Sequence, residues 1–89
     1  MPERSVQIVN RNGLHARPAA EIVKLAARFA ADVTIARDDV EVNGKSIMGV
    51  MMLAAEFGST VRLVAEGPDA DAALEALAGL IASKFGESA

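Results

Sequence analysis

Arg4-Ser5-Val6-Gln7-Ile8-Val9-Asn10-Arg11-Asn12-Gly13-Leu14-His15-Ala16-Arg17-Pro18-Ala19-Ala20 changes its period part-way. Up to Ile8, polar and apolar residues alternate, the two-residue repeat of a half-buried strand. Asn10 to Gly13 is a cluster of turn formers. From Ala16 to about Ala30 the repeat becomes helical: Ala19, Ile22, Ala26 and Phe29 fall on one face, and Glu21, Lys24 and Arg28 on the other. Pro18 belongs in a first helical turn, where its missing N–H has no partner to lose. A strand thus turns into a helix, and His15 stands at or beside the N-cap.

The same alternation of periods continues outward. Asp32 to Arg37 reads as a strand with Val33 and Ile35 inward, and Asp38-Asp39 as a hairpin turn, after which Val40 and Val42 keep the alternation. Asn43-Gly44-Lys45-Ser46 is a loop ending in a good N-cap residue, ahead of a short helix from Ile47 to about Leu53. Gly58-Ser59 breaks the chain, and Thr60 to Glu66 is a fourth strand with Val61, Leu63 and Ala65 on one face. Gly67-Pro68-Asp69 starts the last helix, with Asp69 as cap and Asp71 favourably placed against the dipole. Its apolar stripe is Leu74, Leu77 and Ile81, and Gly86 is the expected stop. The order β-α-β-β-α-β-α predicts an α+β, two-layer open-faced sandwich. A four-stranded antiparallel sheet is covered on one face by three helices and open to solvent on the other.

Composition narrows the function. The chain has 89 residues, the size of a single domain spanning 1–89. A core this small leaves little room for a deep substrate cleft. There is no cysteine, which excludes disulfides, thiol chemistry and Cys-based zinc sites and fits a cytoplasmic protein. No apolar run resembles a signal peptide or reaches the roughly 18 residues that span a bilayer. Net charge is −3 with only three aromatic residues, Phe29, Phe57 and Phe85, so neither a basic face nor a base-stacking platform for nucleic acid is expected.

The chain's one histidine sits where caps are normally Ser, Thr, Asp or Asn. A locally disfavoured residue at a helix start is a reason to look for function. The N–H groups of Ala16 and Arg17 have no partner within the helix, and with the helix dipole they form a ready anion site. Arg17 adds a guanidinium suited to phosphate oxygens. A neutral imidazole nitrogen is a competent nucleophile. Against this stands the plainer alternative of a surface histidine that happens to precede a helix, which spacing alone favours. A metal site is not expected, because His15 has no second His or Cys to join it.

Two further features are open to two readings each. Ile47-Met48-Gly49-Val50-Met51-Met52-Leu53 is apolar at every position but Gly49, more than one face of a two-turn helix can bury. Val50 and Leu53 share a face and are assigned to the core. Ile47, Met48 and Met51 are left outside as an adaptable binding patch, unless the helix is packed on both sides. Ser46 has a sufficient structural role as N-cap, and a phosphate there would also sit favourably at a helix start beside Lys45.

These residues form a known pattern. Gly13-Leu14-His15-Ala16-Arg17-Pro18-Ala19-Ala20 resembles the active-site signature of HPr, the histidine-containing phosphocarriers of the bacterial phosphotransferase system. Lys45-Ser46-Ile47-Met48-Gly49-Val50-Met51 resembles that family's regulatory serine segment, and the two motifs lie at the family's usual separation. The resemblance covers nearly the whole chain. It implies a carrier rather than an enzyme, with no cofactor. Enzyme I, charged by phosphoenolpyruvate, passes phosphoryl to Nδ1 of His15, and backbone N–H groups such as that of Ala16 steady it together with Arg17. The carrier, expected to be a monomer, then docks on an enzyme II A-domain. The implied docking surface is Arg17, Ala20, Ile47, Met48 and Met51, with Lys24 and Lys45 nearby. Where an HPr kinase exists, the family's matching serine, here Ser46, is phosphorylated and docking is blocked. Met51-Met52-Leu53-Ala54-Ala55, Gly67-Pro68-Asp69-Ala70-Asp71 and Lys84-Phe85-Gly86-Glu87 look closer to nitrogen-type carriers. The alternative reading is therefore a Ser46-switched regulatory module of that branch with no direct role in sugar uptake.

Overall fold

Apolar alternation builds the sheet. In the computed structural model, which describes residues 2–87, the strands are β1 (Glu3–Gln7), β2 (Asp32–Arg37), β3 (Val40–Asn43) and β4 (Thr60–Glu66). They lie in the order β1-β4-β2-β3, and each neighbouring pair is antiparallel. The register sets Ile35 opposite Leu63 and Val33 opposite Ala65, so the inward residues of β2 and β4 meet on one buried face. Helices α1 (Ala16–Ala26), α2 (Ile47–Met52) and α3 (Ala70–Ala82) cover that face. Ala19, Ile22 and Ala26 of α1 and Leu74, Leu77 and Ile81 of α3 join the strands in the core, with Ile8 buried just past the end of β1. The result is the expected four-stranded open-faced sandwich. Among the described residues no helix is long and apolar enough to cross a membrane.

The C-terminal ends of two helices, α1 and α3, differ from the sequence expectation. Helix α1 stops at Ala26 rather than near Ala30. Its last turns tighten, with the N–H of Arg28 on Leu25 O and that of Phe29 on Ala26 O, both at 3.1 Å. The groups that would extend the helix are taken by other elements. The Asp69 carboxylate accepts from the N–H of Ala30 (2.9 Å) and of Ala31 (2.8 Å), while Lys45 Nζ donates to Phe29 O (2.9 Å). Phe29 therefore lies beyond the helix, half-buried, instead of on its apolar face.

Asp69 does stand at the N-cap of α3, but its side chain makes no cap bond there, since it is spent on the α1–β2 connection. The N–H of Ala30 first, then that of Ala31, holds this carboxyl below the usual aspartate range against partial desolvation, with Lys45 assisting. The close approach needs Gly67, whose φ is +147° and where a Cβ would fall 2.7 Å from Ala31 Cα. Helix α3 ends at Ala82, with Ser83 as its cap, before Gly86 is reached. Helix α2 ends at Met52, where Ala54 takes φ +50° and Arg37 donates to the freed carbonyls of Leu53 and Ala54, both at 3.0 Å.

The other sheet face is open. A depression of about 400 Å³ lies on it, lined by Glu3, Asp32, Glu41, Glu66 and Arg62 over Val64 and Ala36. It includes neither His15 nor any residue of the loops around it.

Candidate functional site

The loop before α1 is pinned from below. Gly13 takes φ +67°, and a Cβ there would fall 2.5 Å from Ala55 O. Leu14, buried, donates its N–H to the same Ala55 carbonyl at 2.9 Å. These contacts fix the turn that delivers His15 to the N-cap of α1, with φ −78° and ψ −172°. The imidazole makes no cap bond. Its backbone carbonyl accepts the first helical bond from Ala19 N–H at 3.0 Å. Ala16 and Arg17 occupy the first two helical positions, where N–H groups have no intrahelical acceptor. No acidic residue lies in that first turn to compete for an anion. Arg17 is exposed, and among the described residues it takes part in no ion pair.

A second element reaches the ring from the far end of the chain. Lys84, Phe85 and Gly86 take φ values of +60°, +56° and +77°, a tight left-handed turn that non-glycine residues rarely adopt. Burial of Phe85 in the core holds it. Strain of about 1–3 kcal/mol per such residue persists only where packing over-determines it. The turn brings Glu87 to His15, with Oε2 at 3.1 Å from Nε2. The other oxygen, Oε1, accepts from Asn10 Nδ2 at 3.1 Å, and the same Nδ2 donates to Gly13 O at 2.9 Å. Asn10 is fully buried, and among the described residues its Oδ1 has no partner.

An ionised carboxylate only accepts hydrogen bonds, so Glu87 selects the ring tautomer with its proton on Nε2. That leaves the Nδ1 lone pair free. Glu87 and Asn10 are the residues sequence reading missed. Asn10 looked like one more turn former, and nothing in local spacing links position 87 to position 15.

Residues 45–51 are placed as the sequence suggests, with Ser46 ahead of α2. Ser46 Oγ accepts from Gly49 N–H at 3.1 Å, a true N-cap bond for α2. Val50 and Leu53 are buried, and Ile47, Met48 and Met51 are 45%, 74% and 42% exposed. Met52 (74%) and Phe57 (65%) enlarge the exposed apolar area beyond the residues singled out from sequence. Met52 was legible as part of an over-apolar helix; Phe57, isolated beside a glycine, was not. Helices α1 and α2 pack on each other, which brings their exposed residues onto neighbouring surfaces. Ala20 is half-buried and Lys24 exposed, whereas Lys45 already has its amine on Phe29 O.

A family model described as "PTS HPr component phosphorylation site" matches residues 2–83. The chain belongs to the HPr family. It is 51% identical to the phosphocarrier protein HPr of Cupriavidus necator over 98% of both chains. It is 42% identical to the phosphocarrier protein NPr of Shewanella violacea, covering 97% of this chain and 94% of that one. Its structure superposes on the crystal structure of HPr-C-His from Thermoanaerobacter tengcongensis with a TM-score of 0.96 at 47% identity, covering all of both chains. A second crystal structure from that organism, described as an HPr dimer, matches at 48% identity with a TM-score of 0.79, covering 98% and 100% of the two chains. Membership of the HPr family makes this a phosphocarrier of the phosphotransferase system type. Glu87 lies past the segment matched by the family model.

Proposed function

We propose that this chain accepts a phosphoryl group from phospho-Enzyme I on Nδ1 of His15 and passes it to an enzyme II A-domain. The observation that carries the reading is the pairing of Nε2 with Glu87 at the head of α1, which leaves Nδ1 as the free nucleophile. The Nδ1 lone pair attacks phosphorus, a P–N bond forms, and the bond from phosphorus to the donor breaks with its electron pair going to the donor. The proton on Nε2 stays, so the phosphorylated ring gains positive charge beside the Glu87 carboxylate. The phosphoryl oxygens meet the free N–H groups of Ala16 and Arg17, the helix dipole and the Arg17 guanidinium. The return step is the same displacement with the A-domain as acceptor.

Docking uses the exposed Ile47, Met48 and Met51 beside Arg17, Ala20 and Lys24, with Lys45 at the edge. In this reading the chain works as a cytoplasmic monomer, because its docking face is kept for partners. Phosphorylation of Ser46 by an HPr kinase places a hydrated charge at the rim of that patch and weakens docking, while α2 still accepts an anion at its start. Incubation with Enzyme I and phosphoenolpyruvate, followed by an A-domain, tests the relay. An acid-labile, base-stable label should appear on this chain and then move to the A-domain; a label that never leaves would overturn the second half. Running sugar-type and nitrogen-type A-domains in parallel separates a transport role from the regulatory one.

A further inference from the structure

We infer that Asn10 is a positioning residue that decides, through Glu87, which ring nitrogen of His15 is the nucleophile. This deepens the proposed phosphoryl transfer and rests on it for its purpose, though not for its test. The geometry is a chain of three side chains. Asn10 Nδ2 lies between two acceptors, Gly13 O at 2.9 Å and Glu87 Oε1 at 3.1 Å. Both neighbours only accept, so the amide's NH₂ must face them and its orientation is fixed. The same orientation leaves Asn10 Oδ1 buried and, among the described residues, without a partner. The NH₂ end is therefore the end of this buried amide that makes the contacts. What it holds is the active-site turn at Gly13 and the carboxylate 3.1 Å from His15 Nε2.

Glu87 is half-buried and follows a strained left-handed turn, so its side chain has few other anchors. Among the described residues its side-chain bonds go to Asn10 and His15 alone. Asn10 thus fixes one oxygen, and the second oxygen falls on the imidazole. The polarity of the pair then passes to the ring: an acceptor at Nε2 demands Nε2–H and frees Nδ1.

Substituting Glu87→Gln turns this into a sharp test. Asn10 still requires an acceptor, so the new amide must present its carbonyl to Asn10 and its NH₂ to His15. Nε2 then becomes the acceptor and the proton moves to Nδ1. The tautomer is read from the ring ¹⁵N shifts of His15 at about pH 9, above the ordinary imidazole range of about 6.5. The wild-type protein should show Nε2–H. Glu87→Gln should show predominantly Nδ1–H, with phosphoryl acceptance at least about tenfold slower because the required lone pair is occupied. In the double variant Asn10→Ala/Glu87→Gln the new amide is free to turn, and the ring should return to mostly Nε2–H. Equal tautomer populations in the single and double Gln variants, or Nδ1–H in the wild type, would overturn the inference. If Asn10→Ala fails to fold, Glu87→Gln alone decides, since Nε2–H in that variant contradicts an oriented Asn10. These readings need no phosphoryl donor: the tautomers can behave as stated in a chain that never takes a label. Failure of the carrier reading is therefore distinguishable from failure of this one.

Discussion

Arg17 and Lys24 both place positive charge on α1, but Arg17 is two residues from His15 and Lys24 is in the last turn. If Arg17 steadies the phosphoryl group, Arg17→Ala should slow transfer from Enzyme I more than Lys24→Ala does. The ceiling is one or two charge-assisted hydrogen bonds of about 1.5–3 kcal/mol each. Equal effects of the two substitutions would reduce Arg17 to general charge. Ser46 is a helix cap as well as a candidate switch, and Asp caps as well as Ser. Ser46→Asp should therefore leave the melting temperature nearly unchanged while lowering the transfer rate; undiminished transfer on the same preparation would return Ser46 to a plain cap. Candidacy for the site was legible in the sequence where a residue broke a local rule, as His15 does at an N-cap. It was not legible for Glu87, whose contact with His15 spans 72 positions and leaves no local trace. Asn10 was hidden for a different reason: its residue type is ordinary in a turn, and only its full burial marks it.

The α2 helix carries too much apolar surface for its length, and the structure divides it as spacing suggests, with Val50 in the core and Met48 in solvent. Met48→Asp removes no core contact, so stability should change by no more than about 0.5 kcal/mol. Binding to Enzyme I, measured by titration calorimetry, should weaken. Unfolding of the variant, or unchanged affinity, would contradict the docking role of this face. The end of α1 illustrates what periodicity cannot supply. Its apolar spacing runs on to Phe29, yet Asp69 and Lys45, both distant in sequence, claim the backbone groups of residues 29–31. Asp69 also predicts a pH dependence. Its folded-state pKa is depressed, so its contribution is present above the unfolded-state aspartate range and is lost as pH falls through the lower folded value. Asp69→Asn should lower the melting temperature at neutral pH, and the gap to wild type should narrow as pH falls into the acid range. A gap that is constant or widens with acid would mean that the charge on Asp69 adds nothing to the clamp on Ala30 and Ala31.

The architecture as a whole was read from alternation and turn residues because each strand of the inner sheet has one buried face. Val33, Ile35, Val61, Leu63 and Ala65 announce that face in order. The open side announces itself equally, by Asp32, Thr34, Arg62 and Glu66 at the intervening positions. Sheet order and the return of the tail to the first helix depend on packing between distant segments, and no window of the sequence contains them. The molecule places its one histidine at a helix start, sets a carboxylate against it, and leaves apolar residues of α2 exposed. The central claim is that phosphoryl transfer runs through that histidine. The most direct measurement compares wild type with His15→Ala after incubation with Enzyme I and phosphoenolpyruvate, with circular dichroism verifying the fold of both. The account predicts stoichiometric acid-labile, base-stable labelling of the wild type, and no label on a folded His15→Ala; an acid-labile label on that variant would contradict it.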